Sequence, residues 1–323
     1  PPAVQPDCCT QVMPGVGPPV IARAFLWLTR RAPVLRRFLW RRLFEFLAGR
    51  FQADWWSFMN YGYHDAASPA PTLRPADQDN RYPINLYLRV VDGLDVAGKD
   101  LLEIGCGRGG GAAAVSRYLR PRRMTGIDIS HNAIAICRRI HDEPGLEFLQ
   151  GDAEALPFPA ESFDAVVNVE SSFCYPSMEQ FLAEVRRVLR PGGHFLYADI
   201  RLAAEMPELE AALAHCGLEC LREADITDNV ATALRLDSAR RSAASRRVLP
   251  WPAQQWFDVF LGIEGTRIPN GLIARDMVYR CYKFRKSAAV RPIELPIADA
   301  PIATTEPVSL VFRERSLRWH AGE

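Results

Sequence analysis

Three glycines at alternate positions, Gly105, Gly107 and Gly109, break an apolar run that begins at Asp100-Leu101-Leu102-Glu103-Ile104, and Gly110-Gly111-Ala112-Ala113-Ala114-Val115 follows. Glycine reaches positive φ at no steric cost, so such a loop turns tightly and brings its N–H groups close to a ligand. The helix starting near Gly110 aims its positive end at the same spot. This chemistry suits a cofactor that carries a carboxylate. The spacing lacks the two variable residues that precede the third glycine of a dinucleotide fingerprint, and Glu103 adds an acid just upstream. Taken alone, the loop also fits a generic α/β turn. Asp128 ends the run Met124-Thr125-Gly126-Ile127, about twenty residues beyond the loop, where α/β cofactor folds place a carboxylate on ribose hydroxyls. Asp152 and Glu170 end two further apolar runs.

These acids fall at the ends of segments that alternate strand with helix. Strands are predicted over 101–104, 124–130, 146–153, 165–170, 194–200, 218–224 and 275–285, and helices over 84–91, 111–119, 132–140, 178–189 and 203–216. Arg190-Pro191-Gly192-Gly193 ends the helix that precedes the fifth strand. The alternation and the uniformly apolar fourth strand predict an α/β fold with a doubly wound, mostly parallel sheet of seven strands. Residues 226–270 read as a helical insertion before the last strand, carrying Trp251, Trp256 and Phe257.

Upstream of the core, residues 20–63 interleave aromatics such as Trp40, Phe44 and Trp56 with arginines such as Arg36, Arg41 and Arg50, in helices broken near Pro33. Aromatics at helical spacing cover a cofactor mouth while arginines face water. The alternatives are a basic membrane-surface helix and a docking face for an acidic carrier domain. The segment from Trp55 to Asp65, with Tyr61 and His64, reads as a lid, and 66–81 as a loop. The domain plan is therefore a proline-rich linker at 1–19, an N-terminal helical lid at 20–92, a core at 93–286 with its cap insertion at 226–270, and a second linker at 287–323. With no initiator methionine, the chain reads as a fragment of a longer polypeptide, the alternative being a processed or trimmed free enzyme.

The 323 residues suffice for one substantial core or a core plus a cap. A net charge of +1 gives no global basic field of the kind nucleic-acid binders carry. The eight cysteines form no Cys-x-x-Cys pair and several fall in predicted core elements, which points to a reduced cytoplasmic compartment rather than a disulfide framework. No apolar run has the length of a transmembrane helix, and no His/carboxylate cluster has metal-ligand spacing.

Five segments taken in order resemble the class I S-adenosylmethionine (SAM) methyltransferases: Leu-Glu-Ile-Gly-Cys-Gly-Arg-Gly, Thr-Gly-Ile-Asp-Ile-Ser, Gly-Asp-Ala-Glu-Ala-Leu-Pro-Phe, Ser-Phe-Asp-Ala-Val-Val-Asn-Val-Glu and Arg-Val-Leu-Arg-Pro-Gly-Gly-His-Phe. The stretch from Ile84 to Arg201, with Val-Glu-Ser-Ser-Phe-Cys-Tyr-Pro, is similar to the phthiotriol/phenolphthiotriol dimycocerosate O-methyltransferases of mycobacteria. The proline-rich flanks resemble those of an O-methyltransferase domain cut from a modular polyketide synthase. The resemblance implies a Rossmann-like class I sheet with SAM as cofactor and S-adenosylhomocysteine as product. It implies that Gly105, Gly107 and Gly109 pack on the methionine portion, Asp128 binds the ribose, Asp152 and Ala153 hold the adenine, and Asn168 lies beside the sulfonium. Tyr61, Glu103 and Ile129 complete the expected cofactor-binding set. The acceptor implied is a hydroxyl on a polyketide or lipid-like molecule, free or bound to an acyl carrier protein.

A hydroxyl acceptor must lose a proton, preferably to a group that titrates near neutrality. The family often carries a histidine shortly after the strand-four glutamate, where this chain has Phe173, so the base is sought elsewhere. His64 on the lid is the candidate, with Glu170 orienting it and Asp199 in reserve. A C-methyltransferase acting on an activated carbon and a noncatalytic SAM-fold docking module are the alternative readings. Oligomeric state is not legible.

Overall fold

The computed structural model describes residues 33–288 apart from 52, 55 and 249–253. The expectations for the linker at 1–19, for the linker at 287–323 beyond residue 288, for lid residues 20–32 and Trp55, and for Trp251 lie outside the described residues. β1 (Asp100–Ile104) is buried along its whole length, as a central parallel strand flanked on both faces must be. Around it run β2 (Arg123–Asp128), β3 (Leu146–Gln150), β4 (Phe163–Val169), β5 (Leu189–Leu202), β6 (Glu219–Asp225) and β7 (Met277–Arg285). Their order in the sheet is β3-β2-β1-β4-β5-β7-β6. The first five are parallel to one another, and β7 runs antiparallel to both β5 and β6. This is the expected doubly wound seven-stranded sheet. Strand order reverses between β1 and β4, so the crevice for a ligand opens at their carboxyl ends.

Local chemistry fixes the helices that flank that crevice. α1 (Pro33–Arg50) and α2 (Arg81–Val91) precede β1, and α3 (Gly110–Leu119) follows the glycine loop. Gly109 caps α3 at φ 77°, and a Cβ there would lie 2.7 Å from the Phe148 ring, so only glycine fits. α4 (His131–Ile140) and α5 (Met178–Val188) each start on a serine whose Oγ accepts an amide three residues on, from Ala133 to Ser130 and from Gln180 to Ser177, both at 3.1 Å. β5 begins at Leu189, five residues ahead of the predicted start. Leu189 already pairs with Phe163, and Arg190–Gly193 is accommodated as a register shift before His194 pairs with Ala165. α6 (Met206–Ala214) follows β5, and α5 and α6 pack one face of the sheet while α2 and α3 pack the other.

The insertion is helical as expected, in three pieces: α7 (Thr227–Val248), α8 (Gln254–Phe260) and α9 (Arg267–Ile273). The described residues between 51 and 74 are irregular, and the predicted loop at 66–81 ends in a short 3₁₀ turn over Pro75–Asn80. α1 lies against α4, where Glu45 accepts a 2.6 Å bond from Ser130 Oγ and a 3.3 Å bond from the Asn132 amide. That pairing sets the helix over the carboxyl end of the sheet.

Candidate active site

The carboxyl ends of β1, β2 and β4 open into a cavity of roughly 1440 Å³ of empty space, its mouth included. Gly105 and Gly107 form part of its floor, joined by Ile129, Asp152 and Ala153 on one side and by Tyr61 on the lid side. Asp128 also lines it. Its Oδ2 accepts the Gly107 amide and its Oδ1 the Ser130 amide, each at 2.9 Å, which ties the glycine loop to the start of α4. Burial pushes the Asp128 carboxyl up to about 6. Asp152 accepts the Glu154 amide on Oδ1 at 2.9 Å. The sheet thus brings eight of the sequence-predicted residues to one chamber: Tyr61, Gly105, Gly107, Asp128, Ile129, Asp152, Ala153 and Glu170.

Three others sit behind the chamber wall. Glu103 is fully buried, accepts the Tyr87 hydroxyl on Oε1 at 2.6 Å and has no hydrogen bond on Oε2. Burial raises it to about 7, and it is Tyr87, not Glu103, that reaches the cavity. Gly109 packs against Phe148 and His141 rather than facing the ligand space. Asn168, expected beside a sulfonium, is buried and donates to the Ile104 carbonyl at 2.9 Å and Ser171 Oγ at 2.7 Å, so it braces the strand ends instead.

The pairing of His64 with Glu170 is not formed. Gly62, at φ 85°, turns the lid so that the His64 backbone joins α7: its amide donates to the Asn229 carbonyl at 3.3 Å, and Asn229 Nδ2 donates back to its carbonyl at 2.9 Å. The imidazole packs edge-on to Tyr82, with centroids 5.8 Å apart, and is not among the cavity-lining residues. Asp199, the reserve base, is buried and committed. It pairs with Arg201 at 2.8 Å and accepts Ser172 Oγ at 2.6 Å and the Ile200 amide at 2.8 Å.

Glu170 does face the chamber. It follows β4 at φ 49°, a conformation uncommon outside glycine. Oε1 accepts the Tyr61 amide at 2.9 Å and the Tyr279 hydroxyl at 2.8 Å, which leaves Oε2 without a partner among the described residues. Burial pushes this carboxyl up to about 8.

Positive-φ glycines and acids facing the chamber together fit a cofactor with a carboxylate and a net positive charge. Comparison with known proteins agrees. Residues 102–197 match the methyltransferase domain family. The phthiotriol/phenolphthiotriol dimycocerosates methyltransferase of Mycobacterium leprae is 39% identical over 248 residues, covering 77% of this chain and 92% of that protein. The fatty-acid O-methyltransferase of Mycolicibacterium smegmatis is 41% identical over 246 residues, covering 76% and 89%. The chain belongs to the SAM-dependent methyltransferases. Among solved structures, the [4+2]-cyclase SpnF superposes with a TM-score of 0.57 at 21% identity, covering 77% of this chain and 95% of that one. StiE O-MT superposes at 0.55 and 17%, covering 75% and 90%. At such identities they share the fold with this methyltransferase, which uses SAM as its cofactor.

The sequence reading missed the residue that closes the chamber. Arg108 lies in the glycine loop, yet its guanidinium reaches the lid, donating to the carbonyls of Phe51 at 2.8 Å, Ala53 at 2.9 Å and Trp56. It also stacks 4.8 Å from the Trp56 ring centroid. A charged side chain between two glycines was the available signal. Burial lowers Arg108 to about 10, which still leaves it charged at neutral pH. Arg108→Gln leaves lid carbonyls unpaired, so it is expected to destabilise the protein by about 2–4 kcal/mol, because bonds to charged groups contribute about 1.5–3 kcal/mol each. The check is a denaturant titration together with limited proteolysis. Unchanged stability, with no new cleavage between residues 51 and 60, would show that the clamp is not what holds the lid.

Proposed function

We propose that this methyltransferase methylates the oxygen of a neutral hydroxyl on a lipid- or polyketide-like chain, with Glu170 as the proton acceptor. One observation carries the reading: the acceptor side of the chamber is aromatic and apolar, and the charged groups turned into it are acids rather than cations. Trp40, Phe44, Met59, Phe173 and Phe260 supply the apolar wall. The cations among the described lining residues are Arg41, exposed at the rim, and Arg108, engaged by the lid carbonyls. Once Glu170 is ionised, as a base must be, a carboxylate acceptor would meet its like charge with no inward cation to offset it. A hydroxyl meets no such repulsion and needs the base that Glu170 provides.

On this reading Gly105 and Gly107 cradle the methionine portion of SAM, Asp128 takes the ribose, and Asp152 with Ala153 borders the adenine. When bound, SAM supplies an electrophilic methyl, and the electron pair of the broken carbon–sulfur bond stays on sulfur. The protein's part is to hold the acceptor oxygen in line and keep water out. Glu170 Oε2 takes the hydroxyl proton as the oxygen gains its new bond to carbon. The bonds from Tyr61 and Tyr279 to Oε1 fix the orientation of that carboxylate. The named relatives act on phthiotriol and phenolphthiotriol dimycocerosates and on fatty acids, which agrees with the apolar wall and makes a fatty acid the acceptor that the test must set against the alcohol.

The test is incubation with isotopically labelled SAM and matched acceptors of one chain length: a secondary alcohol, a fatty acid and a β-ketoacyl thioester. Each is offered free and on an acyl carrier protein, and mass spectrometry locates the label. A methyl ether on the alcohol is expected. A methyl ester on the fatty acid, or label on carbon in the ketoacyl chain, would overturn the assignment.

A further inference from the structure

α1 has a second face that the methyl-transfer chemistry does not use. Its inner face lines the cavity through Trp40, Phe44, Leu47 and Ala48. On the outside, Phe38, Arg42, Phe46 and Arg50 follow one another at intervals of four, so aromatic and cation alternate on successive turns over about 18 Å of helix. Phe38 is 52% exposed and Phe46 63%, and they are the two aromatics among the five large hydrophobics exposed in the described residues. The Arg42 guanidinium lies 5.2 Å from the Phe38 ring centroid. Among the described residues neither Arg42 nor Arg50 has a carboxylate partner. The one acid of the helix, Glu45, is turned inward onto Ser130 and Asn132.

We propose that the outer face of α1 docks on an anionic lipid surface. An acid-free stripe of arginines calls for phosphate-bearing partners, and exposed phenylalanines between them gain by entering the apolar boundary beneath such head groups. A purely electrostatic contact with an acidic protein would give the two rings no use. The placement also has a geometric consequence. Arg41, on the same helix, is exposed and lines the cavity, so the chamber mouth opens beside the docked face. The inference stands on the helix surface and does not depend on which group the chamber methylates.

The test is flotation of the full chain with vesicles of phosphatidylcholine alone and of phosphatidylcholine mixed with phosphatidylglycerol. Binding to the mixed vesicles, weakened by added salt, is expected. Arg42→Ser combined with Arg50→Ser should lower it about twenty-five-fold, since each basic residue near such a surface contributes about fivefold in affinity. Phe46→Ser, and separately Phe38→Ser, should each lower it about tenfold, with SAM affinity measured alongside to show that each variant is folded. Equal partition onto both kinds of vesicle, no vesicle binding, or variants that bind like the unaltered chain would overturn the proposal. So would capture of the same stripe by an acidic acyl carrier protein in the absence of vesicle binding.

Discussion

Glu170→Gln is expected to slow methyl transfer by roughly 10²–10⁴-fold, the usual scale of general-base catalysis, while cofactor affinity falls far less. The amide keeps the shape of the side chain and its bonds from Tyr61 and Tyr279, but it cannot take a proton. In the unaltered enzyme, single-turnover rates should climb with pH until they level off above about 8, where the buried carboxyl is ionised. Stability moves the opposite way. The folded-state value, about 8, lies above the ordinary carboxylate range, so the folded protein holds a proton that the unfolded chain has already released. The contribution of Glu170 to stability is therefore full at acid pH and is lost as pH rises from the ordinary carboxylate value towards about 8. Above that pH, Glu170→Gln should melt at a higher temperature than the parent although it turns over more slowly. If rates in Glu170→Gln match the parent at every pH, proton removal by this residue is excluded.

Asp128→Ala should weaken SAM binding by about 1.5–3 kcal/mol, the contribution of hydrogen bonds to a charged group, which is roughly ten- to a hundredfold in affinity. Two effects add here. The assigned ribose contacts disappear, and the amides of Gly107 and Ser130 lose the carboxylate that holds the glycine loop against α4. Asp128→Asn separates them. The isosteric amide retains an acceptor oxygen for one of the two backbone donors, so it should restore part of the melting temperature lost in Asp128→Ala but less of the affinity. Calorimetry that returned the parent affinity for both variants would refute the ribose assignment.

What could be read in the sequence depended on how far apart in the chain the interacting groups lie. The glycine loop, the acid at the end of β2 and the strand–helix alternation are local signals, and the sheet and the SAM-binding fold follow from them. His64 lies away from the chamber for a reason no local pattern carries. Its backbone pairs with Asn229, 165 residues away, and that contact fixes where the lid runs. In the sequence Glu170 reads as the partner of a histidine. Its partners are instead a lid amide and the hydroxyl of Tyr279, 109 residues downstream, and its strained φ is invisible in a string of letters. Asn168 and Glu103 carry family-like residue types, yet lie one layer behind the surface that the motif suggested. Arg108 hides for the converse reason, as a long side chain in a loop otherwise read only for its glycines.

The place of β7 between β5 and β6 has a consequence for how the chain is made on the ribosome. β5 ends at Leu202, β6 follows, and β7, the strand that pairs with both, begins only at Met277. At roughly 5–20 residues per second, synthesis takes about 4–15 s to cross that interval, during which the β5 edge has no strand beside it and β6 has no sheet to join. An open, apolar parallel edge is a template for pairing with other chains. The nascent polypeptide is therefore most vulnerable to aggregation while residues 203–276 are being made, and a stop codon between Met277 and Arg285 would do more harm than the few residues of strand it removes suggest. It would leave two strands, and not one, without their place in the sheet.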